Sequence, residues 1–199
     1  MIPARLLDPG RGTVAYLGLG GNVGDRLHYL RQALYALSIH PEIRVTAVSR
    51  LFESEYVGPG EQAPYLNGCV ELRTFLSPRV LLWVLKGVEE RLGRAPGSHL
   101  QPRTVDLDIL LYGDLVQQEP LLQLPHHGLR ERAFVLEPLL DIAPDLRFPD
   151  SGETVAVACA RIRRVEGPWI CAQNGSGLLP RTGLGGEEDW RAALAVHCR

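Results

Sequence analysis

Asp106 and Asp108 stand two residues apart in the run Pro102-Arg103-Thr104-Val105-Asp106-Leu107-Asp108-Ile109-Leu110-Leu111-Tyr112. On a strand, residues i and i+2 project from one face. The two carboxylates therefore share a face, and Val105, Leu107 and Ile109 share the other. Like charges held together are unfavourable unless a cation offsets them. Paired carboxylates suit Mg²⁺, which is usually held by one or two acids plus substrate phosphates. Taken alone, the segment reads equally well as an exposed strand whose acids are solvated. Arg94 and Arg103 flank the acidic pair, with His126, Arg130 and Arg132 downstream. Acids to hold metal beside arginines to hold oxygens are what a metal–phosphate site needs. Lys86 is the only lysine, so any phosphate clamp relies mainly on arginine, whose fork matches phosphate oxygens.

Three other constellations are weaker by themselves. Tyr65 and Asn67 share a strand face, where a ring and an amide could stack on a flat heterocycle and read its edge. Alone, they read more simply as a packed tyrosine and a loop-capping asparagine. Gly20-Gly21-Asn22-Val23-Gly24 matches neither Walker A nor the dinucleotide fingerprint, and a tight turn is the plainer reading. His126 and His127 are adjacent, so their side chains are expected to diverge, which argues against a shared zinc. A phosphate-binding His126 and Arg132, with Phe134 stacking, is the more attractive use.

The elements that must position these residues follow from periodicity. Val14–Leu19 reads as a buried strand, and Asp25 as the N-cap of a helix over 26–38. Val45–Phe52 reads as a second strand, with a Gly/Pro/Glu loop over 53–64, and Tyr65–Thr74 as a third. Ser77-Pro78 starts a helix that Gly93 stops. A polar loop over 94–102 leads to a strand over Thr104–Tyr112. A short strand pair and a helix near 134–142 follow. The order β-α-β-β-α-β predicts an α+β, ferredoxin-like antiparallel sheet with helices packed on it, plus C-terminal additions. The expected division is an extension over 1–12, a domain over 13–165 and a tail over 166–199. In that tail Glu187–Val196 could form a short helix, and Trp169 and Trp190 could serve as anchors.

The chain has 199 residues, 45% hydrophobic and 22% charged, with a formal net charge of −2. That composition fits a globular protein and argues against general nucleic-acid or anionic-membrane binding. Its four cysteines are widely spaced, which is neither a disulfide framework nor a zinc pattern. With no signal-peptide pattern and no apolar run long enough to span a bilayer, a cytoplasmic setting is expected.

Together the motifs resemble the 6-hydroxymethyl-7,8-dihydropterin pyrophosphokinases of folate biosynthesis. The resemblance covers about residues 13–155. It rests on Tyr16-Leu17-Gly18-Leu19-Gly20-Gly21-Asn22, Gly58-Pro59, Tyr65-Leu66-Asn67, Gly93-Arg94, the Pro102–Ile109 run, Pro125-His126, Arg132-Ala133-Phe134 and Phe148-Pro149. It implies a diphosphotransferase that uses ATP with two Mg²⁺ ions and passes an intact diphosphate to the pterin, releasing AMP. It implies that Asp106 and Asp108 bind the metals and that Arg94 and Arg103 act on the triphosphate. Tyr65 and Phe134 resemble the pair that sandwiches the pterin. Asn67 resembles the amide that reads its edge, with Ser54 and Val57 in the pterin-side loop. Lys86, Glu89, Ile109, His126 and Arg132 fall on the nucleotide side. No general base stands out, and positioning with electrostatics suffices. The loops over 53–64 and 94–102 are expected to close over the substrates. ATP and the pterin are the expected partners, without nucleic acid or membrane, for a monomer or weak homo-oligomer. The chain departs from the family pattern at several positions. Leu100 stands where tryptophan is frequent, Tyr56 where proline is common, and Ser54 where threonine is. Lys86, Leu121 and His127 replace glutamine, arginine and tyrosine.

Overall fold

The computed structural model describes residues 12–95, 97 and 101–166. Among the described residues there are seven strands: β1 (Thr13–Gly21), β2 (Ile43–Val48), β3 (Phe52–Ser54), β4 (Tyr65–Thr74), β5 (Asp106–Tyr112), β6 (Gln117–Glu119) and β7 (Leu122–Leu124). Among the same residues four helices accompany them: α1 (Arg26–Ser38), α2 (Pro78–Arg91), α3 (Ala133–Ile142) and α4 (Val155–Glu166). Side-chain caps start the first two helices. Asp25 accepts the His28 N–H, and Ser77 accepts the Val80 N–H with Pro78 at the first helical position. Gly93 takes a φ of +90° just beyond α2, a conformation that favours glycine.

The main sheet runs β2-β4-β1-β5 with every pairing antiparallel, and β3 continues along β4. With α1 and α2 as the crossovers, this is the expected ferredoxin-like arrangement. Alternation along the strands makes two cores. Leu17, Leu19, Leu72, Leu107 and Ile109 pack with Leu30, Leu34, Leu81 and Leu85 of α1 and α2. On the opposite face Tyr16, Cys69 and Leu110 pack with Leu136 and Leu139 of α3 and Ala158 of α4. A bulge separates the two patterns on β5: Tyr16 lies opposite Leu111 but Leu17 opposite Ile109, which leaves Leu110 as the extra residue.

The expected second strand is instead two. Ser49 is buried between them, and its Oγ accepts the Cys69 N–H at 2.8 Å, replacing a ladder bond. Arg50 then turns its N–H and Nε to Asp141 of α3, at 2.8 and 2.9 Å. The expected turn at Gly20–Gly21 belongs to β1, because both residues pair with β4. The last main strand begins at Asp106 rather than Thr104, whose hydroxyl donates to the Leu92 carbonyl at 2.8 Å. Helix α4 is an element that the sequence reading did not single out. No helix among the described residues is long and apolar enough to cross a membrane. The expected Glu187–Val196 helix, Trp169, Trp190 and Leu100 lie outside the described residues, as does nearly all of the 1–12 extension.

Candidate active site

Strand β5 ends the main sheet, so its outward backbone groups need partners. Helix α2 supplies them. The Leu107 N–H donates to Glu89 Oε1 at 2.7 Å, and Lys86 Nζ donates to the Leu107 carbonyl at 3.2 Å. Lys86 and Glu89 pair with each other at 2.8 Å, and Arg94 Nη1 reaches the same Glu89 oxygen at 2.8 Å. Glu89 is only 2% exposed, a burial that an ionised carboxylate tolerates when it is paired in this way. Glu89 thus holds Arg94 against the strand that carries the two aspartates.

Asp106 receives two arginines. Arg94 Nη1 bonds Asp106 Oδ1, and Arg103 Nη1 bonds Oδ2 at 2.9 Å. Both guanidinium side chains are 12% exposed, so neither is an ordinary solvated surface arginine. Asp108 is more open, with its side chain 42% exposed and Oδ1 3.9 Å from Lys86 Nζ. Desolvation in the crowded cleft, then the Asp106 and Glu89 charges, push the Asp108 carboxyl up to about 6, against Lys86 and Arg94. A carboxylate whose ionised form is disfavoured by desolvation and by a neighbouring acid is one that a nearby cation would favour. Among the described residues no group of three or more His, Cys, Asp or Glu could enclose a metal. Two acids fit a Mg²⁺ shared with substrate phosphates, which needs fewer protein ligands than a closed cage.

Between the acids and the aromatic side lies a floor of glycine. Gly20 pairs with Asp106 on one side and Asn67 on the other, and Gly18 pairs with Asp108 and Cys69. Neighbouring strands lie about 4.8 Å apart, so the Asp106 and Asn67 backbones are separated by about 10 Å. A Cβ on Gly20 would lie 3.0 Å from Asn67 Oδ1. β1 thus presents no side chain between the two rows, and Asn67 reaches into the space that a Cβ on Gly20 would take.

On the far side of the floor, Asn67 is buried, and its Nδ2 donates to Ser54 Oγ at 2.9 Å. Ser54 belongs to β3 and pairs with Tyr65, so it is a strand residue rather than a loop residue. The Tyr65 hydroxyl donates to Gln62 Oε1 at 3.1 Å, and burial raises its pKa. Val57 stands apart, 73% exposed. Phe134 is half-buried in the first turn of α3, with the Arg132 guanidinium 5.9 Å from its ring centre. Ile109 is a core residue, 2% exposed, on the α1/α2 side.

His126 is fixed by its N–H to the Leu110 carbonyl at 2.9 Å, which ties it to the strand of the acids. Burial, then His127 and Arg132, depress its pKa to about 4. Gly128 N–H donates to His126 Nδ1 at 3.2 Å, so the neutral ring carries its proton on Nε2, as a donor. The two histidines do not diverge as expected: their rings lie 4.3 Å apart at 31°, tilted against one another. Gly128 also makes room for Arg132, whose Nε would lie 2.6 Å from a Cβ there.

Asn22 joins the two halves and was missed as a site residue. It is buried, and its Nδ2 donates to Gln62 Oε1 and the Ala63 carbonyl, each at 3.1 Å. Its Oδ1 accepts the Arg103 N–H at 2.9 Å, and its own N–H donates to the Arg103 carbonyl at 3.0 Å. One amide thus links the loop before Tyr65 to the arginine on Asp106. The available signal was an amide side chain directly after a strand with glycines at alternate positions.

Residues 16–144 match the 7,8-dihydro-6-hydroxymethylpterin-pyrophosphokinase family. The chain belongs to this family. It is 44% identical over 135 residues to the 2-amino-4-hydroxy-6-hydroxymethyldihydropteridine pyrophosphokinase of Pseudomonas aeruginosa, covering 68% of this chain and 83% of that one. It is 45% identical over 131 residues to the enzyme of the same name from Bacillus subtilis, covering 65% and 78%. Among solved structures, wild-type Plasmodium falciparum HPPK-DHPS with STZ-DHP is similar in fold, with a TM-score of 0.63 at 15% identity. That match covers 77% of this chain and 44% of the Plasmodium chain, so this protein spans less than half the length of that structure. The matched region runs from Tyr16 to Pro144, so it contains both aspartates, the glycine floor and the start of α3.

Proposed function

We infer that this pyrophosphokinase-family chain transfers the pyrophosphoryl group of ATP to the hydroxymethyl oxygen of 6-hydroxymethyl-7,8-dihydropterin, in folate biosynthesis. The pterin hydroxyl oxygen bonds to the β-phosphorus and gives up its proton to solvent, as the bond from that phosphorus to the α–β bridging oxygen breaks. AMP leaves with the bridging oxygen. The observation that carries this reading is the row Asp106–Gly20–Asn67, in which the paired acids and the tyrosine–amide pair share one sheet face with a glycine between them. In this reading Tyr65 and Phe134 stack the pterin and Asn67 reads its edge, with Ser54 and Val57 beside it.

Asp106 and Asp108 would hold Mg²⁺, two ions in the full complex. The bound metal would supply charge neutralisation for the triphosphate and help align it. Arg94 and Arg103 pair with Asp106; in this reading their donors turn to the phosphate oxygens and suit the charge that spreads as the bond breaks. Lys86, His126 and Arg132 add donors on the nucleotide side, whereas the Ile109 side chain, expected there, is buried in the core on the opposite face and leaves only its strand backbone to that side. Glu89 orients Arg94 rather than meeting anionic phosphate, because it is buried and already paired. The catalytic unit is residues 13–165, acting in the cytoplasm as a monomer or weak homo-oligomer.

AMP release from ATP and Mg²⁺, with and without the pterin, tests the reading. Wild type is expected to release AMP only when the pterin is present, and Asp108→Ala to lose at least about 100-fold in rate. Binding of ATP or pterin without AMP release from wild type would mark a binding-only relative and overturn the proposal.

A further inference from the structure

The loop after β3 folds one more aromatic ring onto the pterin side. Tyr56 and Tyr65 lie nearly parallel, with centroids 6.2 Å apart and planes at 22°. The Tyr56 ring rests over Gly58, where a Cβ would fall 2.2 Å from its hydroxyl and 2.4 Å from Cζ. That hydroxyl is buried and has no hydrogen-bond partner among the described residues. A buried, unpaired hydroxyl is unfavourable, so the position is held for the ring and not for the oxygen. The spacing also limits where a ligand can go. A flat heterocycle between two rings needs about 3.5 Å on each side, about 7 Å in all. The gap is smaller, so a bound pterin must use the other face of Tyr65.

We propose that Tyr56 is a positioning residue for the pterin: its ring backs Tyr65 and holds that ring in the plane on which the substrate stacks. This rests on the pterin reading above. Aromatic pairs of this kind add a modest, orientation-dependent energy, so the effect belongs on pterin affinity and not on the transfer step.

The contrast between ring and hydroxyl supplies the test. In steady-state assays Tyr56→Ala is expected to raise the pterin KM about 3- to 10-fold, with kcat and the ATP KM unmoved. Tyr56→Phe, which keeps the ring, is expected to restore the wild-type pterin KM. Gly58→Ala displaces the ring, so it should mimic Tyr56→Ala in the wild-type background and add nothing in the Tyr56→Ala background. A pterin KM that is unchanged or lower in Tyr56→Ala overturns the proposal, the lower value showing that the ring covers the platform. Tyr56→Phe as impaired as Tyr56→Ala overturns it too, because the hydroxyl would then be the contact. Pterin-dependent AMP release by wild type is the control on the parent reading: without it that reading fails and takes this one along. With it, only the variant ratios decide.

Discussion

Asp108 carries the clearest residue-scale tension in the molecule. Its folded pKa, about 6, stands above its ordinary 3.8, chiefly through desolvation and then the Asp106 charge. An acid shifted upward adds stability that is fully present below pH 3.8 and lost as pH rises through 6. At pH 7.5 the ionised side chain therefore works against the metal-free fold. Asp108→Asn should stabilise the metal-free protein at pH 7.5 by about 1 kcal/mol, a figure reduced from the full shift because the side chain is partly exposed. The same substitution should abolish the rise in Tm that Mg²⁺ with an ATP analogue gives to wild type. His126 runs the other way. Its pKa lies near 4 instead of 6.5, so it contributes stability above pH 6.5 that is lost as pH falls through 4. In wild type the two groups offset one another between pH 6 and 4. In Asp108→Asn only the His126 loss remains, so stability should fall more steeply on acidification. Thermal melts of both proteins across that range check the pair. A lower metal-free Tm for the variant at pH 7.5 would contradict like-charge strain at Asp108.

At the scale of elements, β1 decides how the two halves of the site meet. Gly20 faces Asn67 so closely that a Cβ would crowd Oδ1 at 3.0 Å, whereas a Cβ on Gly18 would meet a Leu110 methyl at 3.4 Å, ordinary contact. Gly20→Ala should therefore raise the pterin KM several-fold by tilting the Asn67 amide, and Gly18→Ala should leave it within about 2-fold. Equal effects from the two substitutions would contradict the floor. This part of the site was half legible. The Asp106/Asp108 face followed from strand period alone, and Gly18 fell within the expected first strand, but Gly20 read as part of a turn because glycine punctuates turns more often than strands. Only the pairing with β4 and β5 shows them to be floor. Helix caps at Asp25 and Ser77 were readable because their chemistry is local. The break between β2 and β3 was not, because it depends on Ser49 and Asp141 partners that are distant in sequence. Helix α4 was overlooked although Val155, Ala158, Cys159 and Ile162 repeat at helical spacing and Thr154 Oγ1 accepts the Val157 N–H at 3.2 Å. Glu89 could not have been read as buried from sequence, since its burial exists only against the edge of β5.

Across the whole molecule, the sheet separates two tasks. The face under α1 and α2 is an aliphatic core, while α3 and α4 cover only part of the other face and leave the acids and Asn67 on the remainder. The placement of α3 therefore sets where Arg132 and Phe134 lie relative to the acids and Asn67. Two ion pairs hold that helix. Asp141 takes Arg50 from the β2–β3 link, and Glu137 takes Arg163 of α4 through both oxygens, at 2.6 and 2.5 Å. Glu137 is 3% exposed and Arg163 is 44% exposed, so the pair is asymmetric. Arg163→Ala leaves the buried Glu137 carboxylate to the weak Cys159 thiol donor and should cost about 2 kcal/mol, below the value for a fully buried pair because water already reaches the arginine. For a chain of this size that is about 4–8 °C in Tm. Replacing both partners, Glu137→Met with Arg163→Met, should recover most of the loss, because the penalty belongs to the lone charge and not to the missing attraction. Activity gives a second readout. If α4 serves to set α3, Arg163→Ala assayed well below its Tm should raise the pterin KM through Phe134, and the double methionine variant should bring it back. If the melts drop while the pterin KM stays fixed, α4 is a stabilising strut alone. A Tm unchanged in Arg163→Ala would mean that water can replace the arginine at Glu137, and that the apolar contacts of Ala158 and Cys159 suffice to seat the helix.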